Sequence, residues 1–160
     1  PERIRENIVK KFRGLKVAVH YGCHILRPRD LVQFKGPGTA AVFDDLVAMT
    51  GADLVPWHLQ SECCGSAMWG IDDDLSAELT RKKIENARAS GADYLCLACS
   101  YCHVQFDRVQ KRLLDEGRIT EPMPTILFTQ LLGLSMGIDP NILGIWKNQI
   151  DISPILDCID

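Results

Sequence analysis

The chain has no apolar run approaching the roughly 18 residues that a membrane-spanning helix needs. Its most apolar stretch, Ile126 to Ile138, is short and broken by Thr129, Gln130 and Ser135. No secretory leader is legible at the N-terminus. A basic nucleic-acid surface is also missing: 18 Lys and Arg against 21 Asp and Glu leave a net charge of −3, where such a surface needs clustered positive charge. The basic residues that do cluster, Arg3 to Lys16 and Arg81 to Lys83, alternate with apolar or acidic ones and read as solvated helix faces. There is no glycine-rich phosphate loop, no His-Glu-x-x-His, no Gly-x-Ser-x-Gly and no dinucleotide fingerprint. The commonest nucleotide-binding, zinc-protease and serine-hydrolase readings therefore lose their support. The chain opens on Pro1 rather than Met; we expect a piece of a longer protein, with an upstream signal or partner domain left open.

What remains is an ordinary globular composition with an unusual cysteine content. At 160 residues, 46% hydrophobic and 24% charged, the chain suits one domain and can bury a core without disulfide staples. Its seven cysteines are an odd count that fits a complete disulfide framework poorly.

Hydrophobic patterning predicts alternating strands and helices. A charged, mildly amphipathic segment over 2–13 reads as a lead-in helix. Lys16 to Tyr21 reads as a buried strand ending at Gly22-Cys23. Residues 25–38, with Pro28, Gly36, Pro37 and Gly38, read as a loop. Thr39 is placed to cap a helix running to about Met49. Ala52 to Val55 is a second strand, and a helix follows from about Asp74 to Ser90, with acids in its first turn. Asp93 to Ala98 is a third strand, Cys99 opens a helix to about Glu116, Thr125 to Phe128 is a fourth strand, and Thr129 to Met136 a short helix. The last 20 residues read as irregular. The expected fold is α/β: a layered, Rossmann-like arrangement with a mainly parallel sheet of about four strands flanked by helices. The expected organisation is a lead-in helix over 1–14, one cysteine-rich domain over 15–138 and a tail over 139–160.

Five cysteines follow the order C-x39-CC-x34-C-x2-C, namely Cys23, Cys63, Cys64, Cys99 and Cys102. Each group lies just past a predicted strand end, where parallel sheets bind their ligands. Thiolates are the soft ligands that zinc and iron–sulfur clusters select, and five exceed what one tetrahedral zinc takes. Cys99, Cys102, Phe106, Val109 and Leu113 share one face of their helix, and the helix N-terminus favours thiolate and an anionic cluster. Adjacent Cys63 and Cys64 point apart, which suits different irons of one cluster, and Gly65 lets the backbone approach. Cys96, inside the third strand, reads as a buried small residue, and Cys158 as a free thiol near the terminus. His20, His24, His58 and His103 all lie near a cysteine group. A protonatable group beside a sulfur centre suits proton-coupled disulfide reduction, and His24 and His58, in loops, are the preferred catalytic candidates. Trp57 and Trp69 flank the vicinal pair as packing residues. Arg27 and Arg29 are candidates to meet an anionic substrate or partner.

The strand-end Gly22-Cys23, the run Cys63-Cys64-Gly65 and Cys99-x-x-Cys102-His103 together resemble the cysteine-rich CCG domain found in the B subunit of heterodisulfide reductases. His20-Tyr-Gly-Cys-His24 followed by Leu26-Arg27-Pro28 looks most like the second, C-terminal CCG domain of that polypeptide. The resemblance covers about residues 15–136. It implies a noncubane 4Fe–4S cluster held by Cys23, Cys63, Cys64, Cys99 and Cys102, reductive cleavage of a small-molecule disulfide, and a cytoplasmic setting. It also implies a sister N-terminal CCG domain and, as electron-supplying partners, the C and A subunits of heterodisulfide reductase. The fragment alone is then expected to show little activity, and protein prepared in air to hold zinc or an empty site. Two other readings stand beside it: an electron-transfer CCG module of an organic-acid oxidoreductase, and a structural zinc domain. Trp69, Trp146 and the stretch Ile142 to Ile155 are candidates for the face that meets a partner.

Overall fold

The computed structural model describes residues 2–27 and 41–160. Arg29, the predicted loop beyond Arg27 and the Thr39 cap lie outside the described residues. In chain order the elements are α1 (Glu2–Glu6), β1 (Lys16–His20), α2 (Cys23–Leu26), α3 (Ala41–Met49), β2 (Asp53–Leu54), α4 (Asp73–Ala89), β3 (Tyr94–Leu97), α5 (Ser100–Val104), a π-helical turn (Gln105–Val109), α6 (Gln110–Asp115), β4 (Thr125–Leu127) and α7 (Phe128–Ser135). The four strands form one parallel sheet in the order β2-β1-β3-β4. This is the α/β layered fold expected from the patterning.

A parallel sheet covered on both faces demands strands that are apolar throughout. β3 meets that demand with every residue buried, and β1 meets it over Val17, Ala18 and Val19. Side chains alternate across the sheet. Val17, Val19, Tyr94, Cys96 and Ile126 face one core with Val47 of α3 and Leu131 and Leu134 of α7. Ala18, Leu95 and Leu97 face the other with Ala77, Ile84 and Ala87 of α4 and Phe106, Val109 and Leu113 of the α5–α6 rod. Each fully buried Val, Leu or Ile contributes about 1.5–3 kcal/mol. Asp72 caps α4 by accepting from the Leu75 N–H at 2.9 Å.

Three segments depart from the expected pattern, each because tertiary contacts override local preference. The lead-in helix stops at Glu6. Val9 and Lys10 donate instead to the Ser135 carbonyl, Phe12 donates to that of Thr50, and Phe12 buries its ring. The C-terminal residues fold back as two 3₁₀ turns, Ile145–Lys147 and Ser153–Cys158. Ile145, Ile152 and Ile155 join the first core, and Ile150 is also buried. Four isoleucines of the stretch proposed as a partner face, Ile145, Ile150, Ile152 and Ile155, are therefore interior, while Ile142, Trp146 and Trp69 remain exposed. Finally, the helix after Cys99 carries the π turn. Its extra residue widens the inward face, so Gln105, Phe106, Asp107, Val109 and Gln110 are all buried.

Asp107 ties the π turn to the C-terminal segment. Its carboxylate accepts from the Gln149 N–H at 2.8 and 3.0 Å and from the Ile150 N–H at 3.0 Å. Asp107→Ala leaves the buried Ile150 N–H and the partly buried Gln149 N–H without their acceptor and should destabilise the protein by about 2–4 kcal/mol. Urea unfolding checks this, and limited proteolysis should show earlier cleavage near residue 149. An unchanged unfolding midpoint would remove the anchor role.

Candidate metal centre

The strand order reverses between β1 and β3, so the chain runs outward to β2 on one side and to β4 on the other. A crevice opens beyond the strand ends at such a reversal. β1 delivers Gly22-Cys23 there, and β3 delivers Cys99, which precedes α5 and leaves Cys102 in its first turn. The loop between β2 and α4 brings Cys63 and Cys64 to the same place. All five line one cavity of about 400 Å³, together with His24, Ser66, Ala67 and Tyr101. A larger cavity of about 880 Å³, at Arg5, Ile8, Lys11, Asp45, Ala48 and Met49, carries no cysteine or histidine.

Two glycines permit the close approach. Gly22 has φ +81°, and a Cβ there would sit 2.9 Å from that of Cys99. Gly65 has φ +96°, and a Cβ there would collide with the Ser76 carbonyl oxygen. The loop is held from α4: Ser76 Oγ donates to the Gly65 carbonyl and Thr80 Oγ1 to that of Cys64, both at 3.0 Å.

All seven cysteines are free thiols. Cys64 and Cys102 are buried, whereas Cys23, Cys63 and Cys99 are half-buried. Cys64 and Cys102 interact directly. The Cys102 thiol donates to the Cys64 sulfur and holds Cys64 far below the usual thiol range, at about 4, with His20 assisting against the burial. The same bond, together with burial, drives Cys102 up. Cys23 is raised by burial and then by the neighbouring Cys63 and Cys64. Burial and the neighbouring sulfurs thus oppose ionisation of Cys23 and Cys102, and a bound soft cation would offset that cost. The donor set fits a metal or iron–sulfur group on chemistry and on space.

His20 is the histidine that touches the sulfurs. It is buried, its Nε2 lies 3.3 Å from Cys102 Sγ, and its Nδ1 lies 3.0 Å from the Gln60 carbonyl oxygen. The ligand atoms of His20, Cys64 and Cys102 lie within 4.8 Å of one another. Strand alternation carries the signal for it, because residue 20 ends β1 on the same face as Ala18. His24 is exposed on the cavity lining, in the one-turn helix α2 and not in the expected loop. His58 is exposed and does not line the cavity. His103 instead meets Asn148, at 3.2 Å, and burial lowers its pKa.

The remaining candidates separate cleanly. Cys96 is fully buried on the opposite face of β3, and burial pushes its thiol up. Cys158 packs against the first core. Trp57 is buried, and its indole N–H donates to the Val19 carbonyl at 2.8 Å. Trp69 is exposed under Arg112, 5.0 Å from its ring centroid, and Arg27 is exposed. Lys83 corrects one expectation: the helix face Arg81 to Lys83 is not wholly solvated, since Lys83 is 1% exposed.

A family model described as the CCG cysteine-rich domain matches residues 17–107. The chain is 36% identical over 156 residues to the B subunit of the ferredoxin:CoB-CoM heterodisulfide reductase of Methanosarcina mazei, covering 94% of this chain and 50% of the relative. It is 30% identical over 154 residues to the membrane anchor subunit of the 8-methylmenaquinol:fumarate reductase of Wolinella succinogenes, covering 96% and 54%. The chain thus spans about half the length of the curated relatives it matches. Among solved structures, a hypothetical protein from Helicobacter pylori shares the fold with a TM-score of 0.62 at 12% identity, covering 94% of this chain and 28% of that one.

The glycine geometry gives a graded expectation. Gly70 also has positive φ, +80°, but open space around it. Gly70→Ala should cost only left-handed strain, about 1–2 kcal/mol. Gly22→Ala and Gly65→Ala add a collision and should each lower the melting temperature further than Gly70→Ala. Equal melting temperatures for the three variants would show that the loops relax freely.

Proposed function

This chain belongs to the family of CCG cysteine-rich domains, and from that premise we propose that it is the iron–sulfur redox unit of a B subunit of heterodisulfide-reductase type. In this reading Cys23, Cys63, Cys64, Cys99 and Cys102 hold a noncubane 4Fe–4S cluster, and the site cleaves a small-molecule disulfide reductively. The observation that carries it is the convergence of five free thiols on one cavity at the sheet's reversal point.

When bound, the cluster supplies one-electron steps and a Lewis-acidic iron. The chain's own residues do the rest. Cys64 and Cys102 form the buried wall, and His20 fixes Cys102 through Nε2 while the Gln60 carbonyl orients its ring. The half-buried Cys23, Cys63 and Cys99 leave the opposite side open to an incoming molecule. Reducing a disulfide takes two electrons and two protons and releases two thiols. His24, exposed on the cavity lining, is positioned to hand over a proton there; His58 would have to act from outside it.

The electrons must come from elsewhere. A sister CCG domain, with the C and A subunits of a heterodisulfide reductase as the donors, fits a chain that spans half of its relatives. A cytoplasmic setting belongs to the same reading. Among the described residues no helix is long and apolar enough to cross a membrane. A second reading, a pure electron-transfer module, is favoured by the similarity to a fumarate reductase anchor subunit.

Anaerobic reconstitution with iron and sulfide tests these readings. The chain should take up about four irons, and added disulfides should perturb its EPR signal. A redox-active cluster indifferent to disulfides would select the electron-transfer reading. Stoichiometric zinc and no iron would point to a structural zinc domain. Serine at any of the five cysteines should lower iron content or alter the spectrum, whereas Cys158→Ser should not. Full retention of the spectrum in two of the five variants would refute the ligand set.

A further inference from the structure

α4 is strongly charged on its outer face, where Arg81 pairs with Glu78 and Glu85. Along one edge of its inner face, beside the apolar Ala77, Ile84 and Ala87, runs a polar ladder. Ser76, Thr80, Lys83 and Asn86 recur at the three- and four-residue spacing that aligns side chains on a helix. Each binds the backbone of the segment 59–65: Ser76 donates to the Gly65 carbonyl, Thr80 to that of Cys64 and Lys83 to those of Leu59 and Glu62, while Asn86 Oδ1 accepts from the Leu59 N–H. This segment ends in the vicinal cysteines and Gly65.

Lys83 stands apart from the other three. Three neutral side chains satisfy the backbone without a charge, yet the fourth is an ammonium that is 1% exposed. Burying an ammonium is expensive unless a negative charge or strong acceptors compensate. Nζ donates to two carbonyls, Glu62 at 3.0 Å and Leu59, and lies 4.6 Å from the Trp57 ring centroid. No carboxylate of the described residues forms an ion pair with it. The segment it grips runs directly into Cys63 and Cys64, which line the cysteine cavity.

We propose that Lys83 is the buried counter-cation of the cysteine centre: it pins the loop that presents Cys63 and Cys64, and its fixed positive charge raises the reduction potential of the anionic iron–sulfur group bound there. This rests on the iron–sulfur reading above. The electrostatics agree in sign. Burial outweighs the opposing pull of the charges of Cys64, Cys102, Glu62 and Cys63, and Lys83 comes to rest at about 8, below the usual lysine range. Lys83 acts through charge and through the loop, and it is therefore a positioning residue.

The test compares Lys83→Met and Lys83→Gln, which remove the charge, with Lys83→Arg, which keeps it. Each chain is reconstituted anaerobically, its iron counted, its midpoint potential titrated by EPR, and the melting of its apoprotein recorded. The neutral variants should favour the oxidised cluster by about tenfold or more, a fall of about 59 mV for one electron, while Lys83→Arg should stay close to wild type. Loss of iron from both neutral variants, with all apoproteins folded and Lys83→Arg still loaded, would support the same role. A neutral variant with a full cluster at the wild-type potential overturns it. So does unfolding of all three apoproteins, which would reduce Lys83 to a structural staple. If the wild-type chain takes up no iron, the iron–sulfur reading fails and this inference falls with it, a result distinct from the others.

Discussion

The pairing of β1 with β3 is the constraint on which the site depends. The two strands run side by side over four residues, Val17 opposite Tyr94 through His20 opposite Leu97. That register brings the ends of the two strands level. Cys23 and Cys99 then leave the sheet as neighbours, so near that only glycine fits at position 22. A one-residue slip would turn every side chain of β1 to the other face of the sheet. Val17 and Val19 would then exchange cores with Ala18, and His20 would turn away from Cys102. The hydrophobic pattern of β1 thus enforces the geometry of the sulfurs, because the slipped register would leave both cores badly filled.

The third cysteine group has no strand to position it. β2 is only two residues long, Asp53–Leu54, and the chain then runs some distance before reaching Cys63. Order in that segment comes from side chains of its neighbours. Trp57 is fixed to the Val19 carbonyl, His20 faces the Gln60 carbonyl, and the inner face of α4 binds the remainder. Gln105, from the π turn, backs this arrangement by donating to Ser76 Oγ at 2.8 Å and Thr80 Oγ1 at 2.7 Å. A buried polar network is stable only when its members are satisfied. Here it replaces the backbone ladder that a longer β2 would have provided.

These contrasts explain what was legible in the sequence. Buried parallel strands are continuous apolar runs, so β1, β3 and β4 read directly, and the cysteine spacing identified the residues that share the cavity. Strand alternation also excludes Cys96, though its spacing to Cys99 mimics a C-x-x-C. Features set by long-range contacts were not legible. The helix over 2–13 stops at Glu6 because Phe12 finds a core. The C-terminal residues looked irregular because 3₁₀ turns carry no long period, yet their isoleucines fill the first core. Loop position favoured His24 and His58, whereas burial and a sulfur contact belong to His20. Lys83 was hidden by composition: within a helix so rich in charge, one inward cation leaves no local signature.

The five sulfurs are not equivalent, and the difference follows from the fold. Cys64 and Cys102 are each 3% exposed, closed in by the second core. Charges there are poorly screened, so the hydrogen bond between His20 and Cys102 or the nearby ammonium of Lys83 acts with most of its strength. Cys23, Cys63 and Cys99 stand half-buried towards the opening, near His24 and the exposed ring of Tyr101. Water weakens electrostatic control on that side but leaves it accessible. In a redox centre built on these residues, electron affinity would be governed mainly from the buried wall, and encounters with substrate or donor would occur at the rim. Strand ends and the side chains of α4 hold all five sulfurs, so what separates the two functions is exposure to water and not a difference in how the residues are anchored.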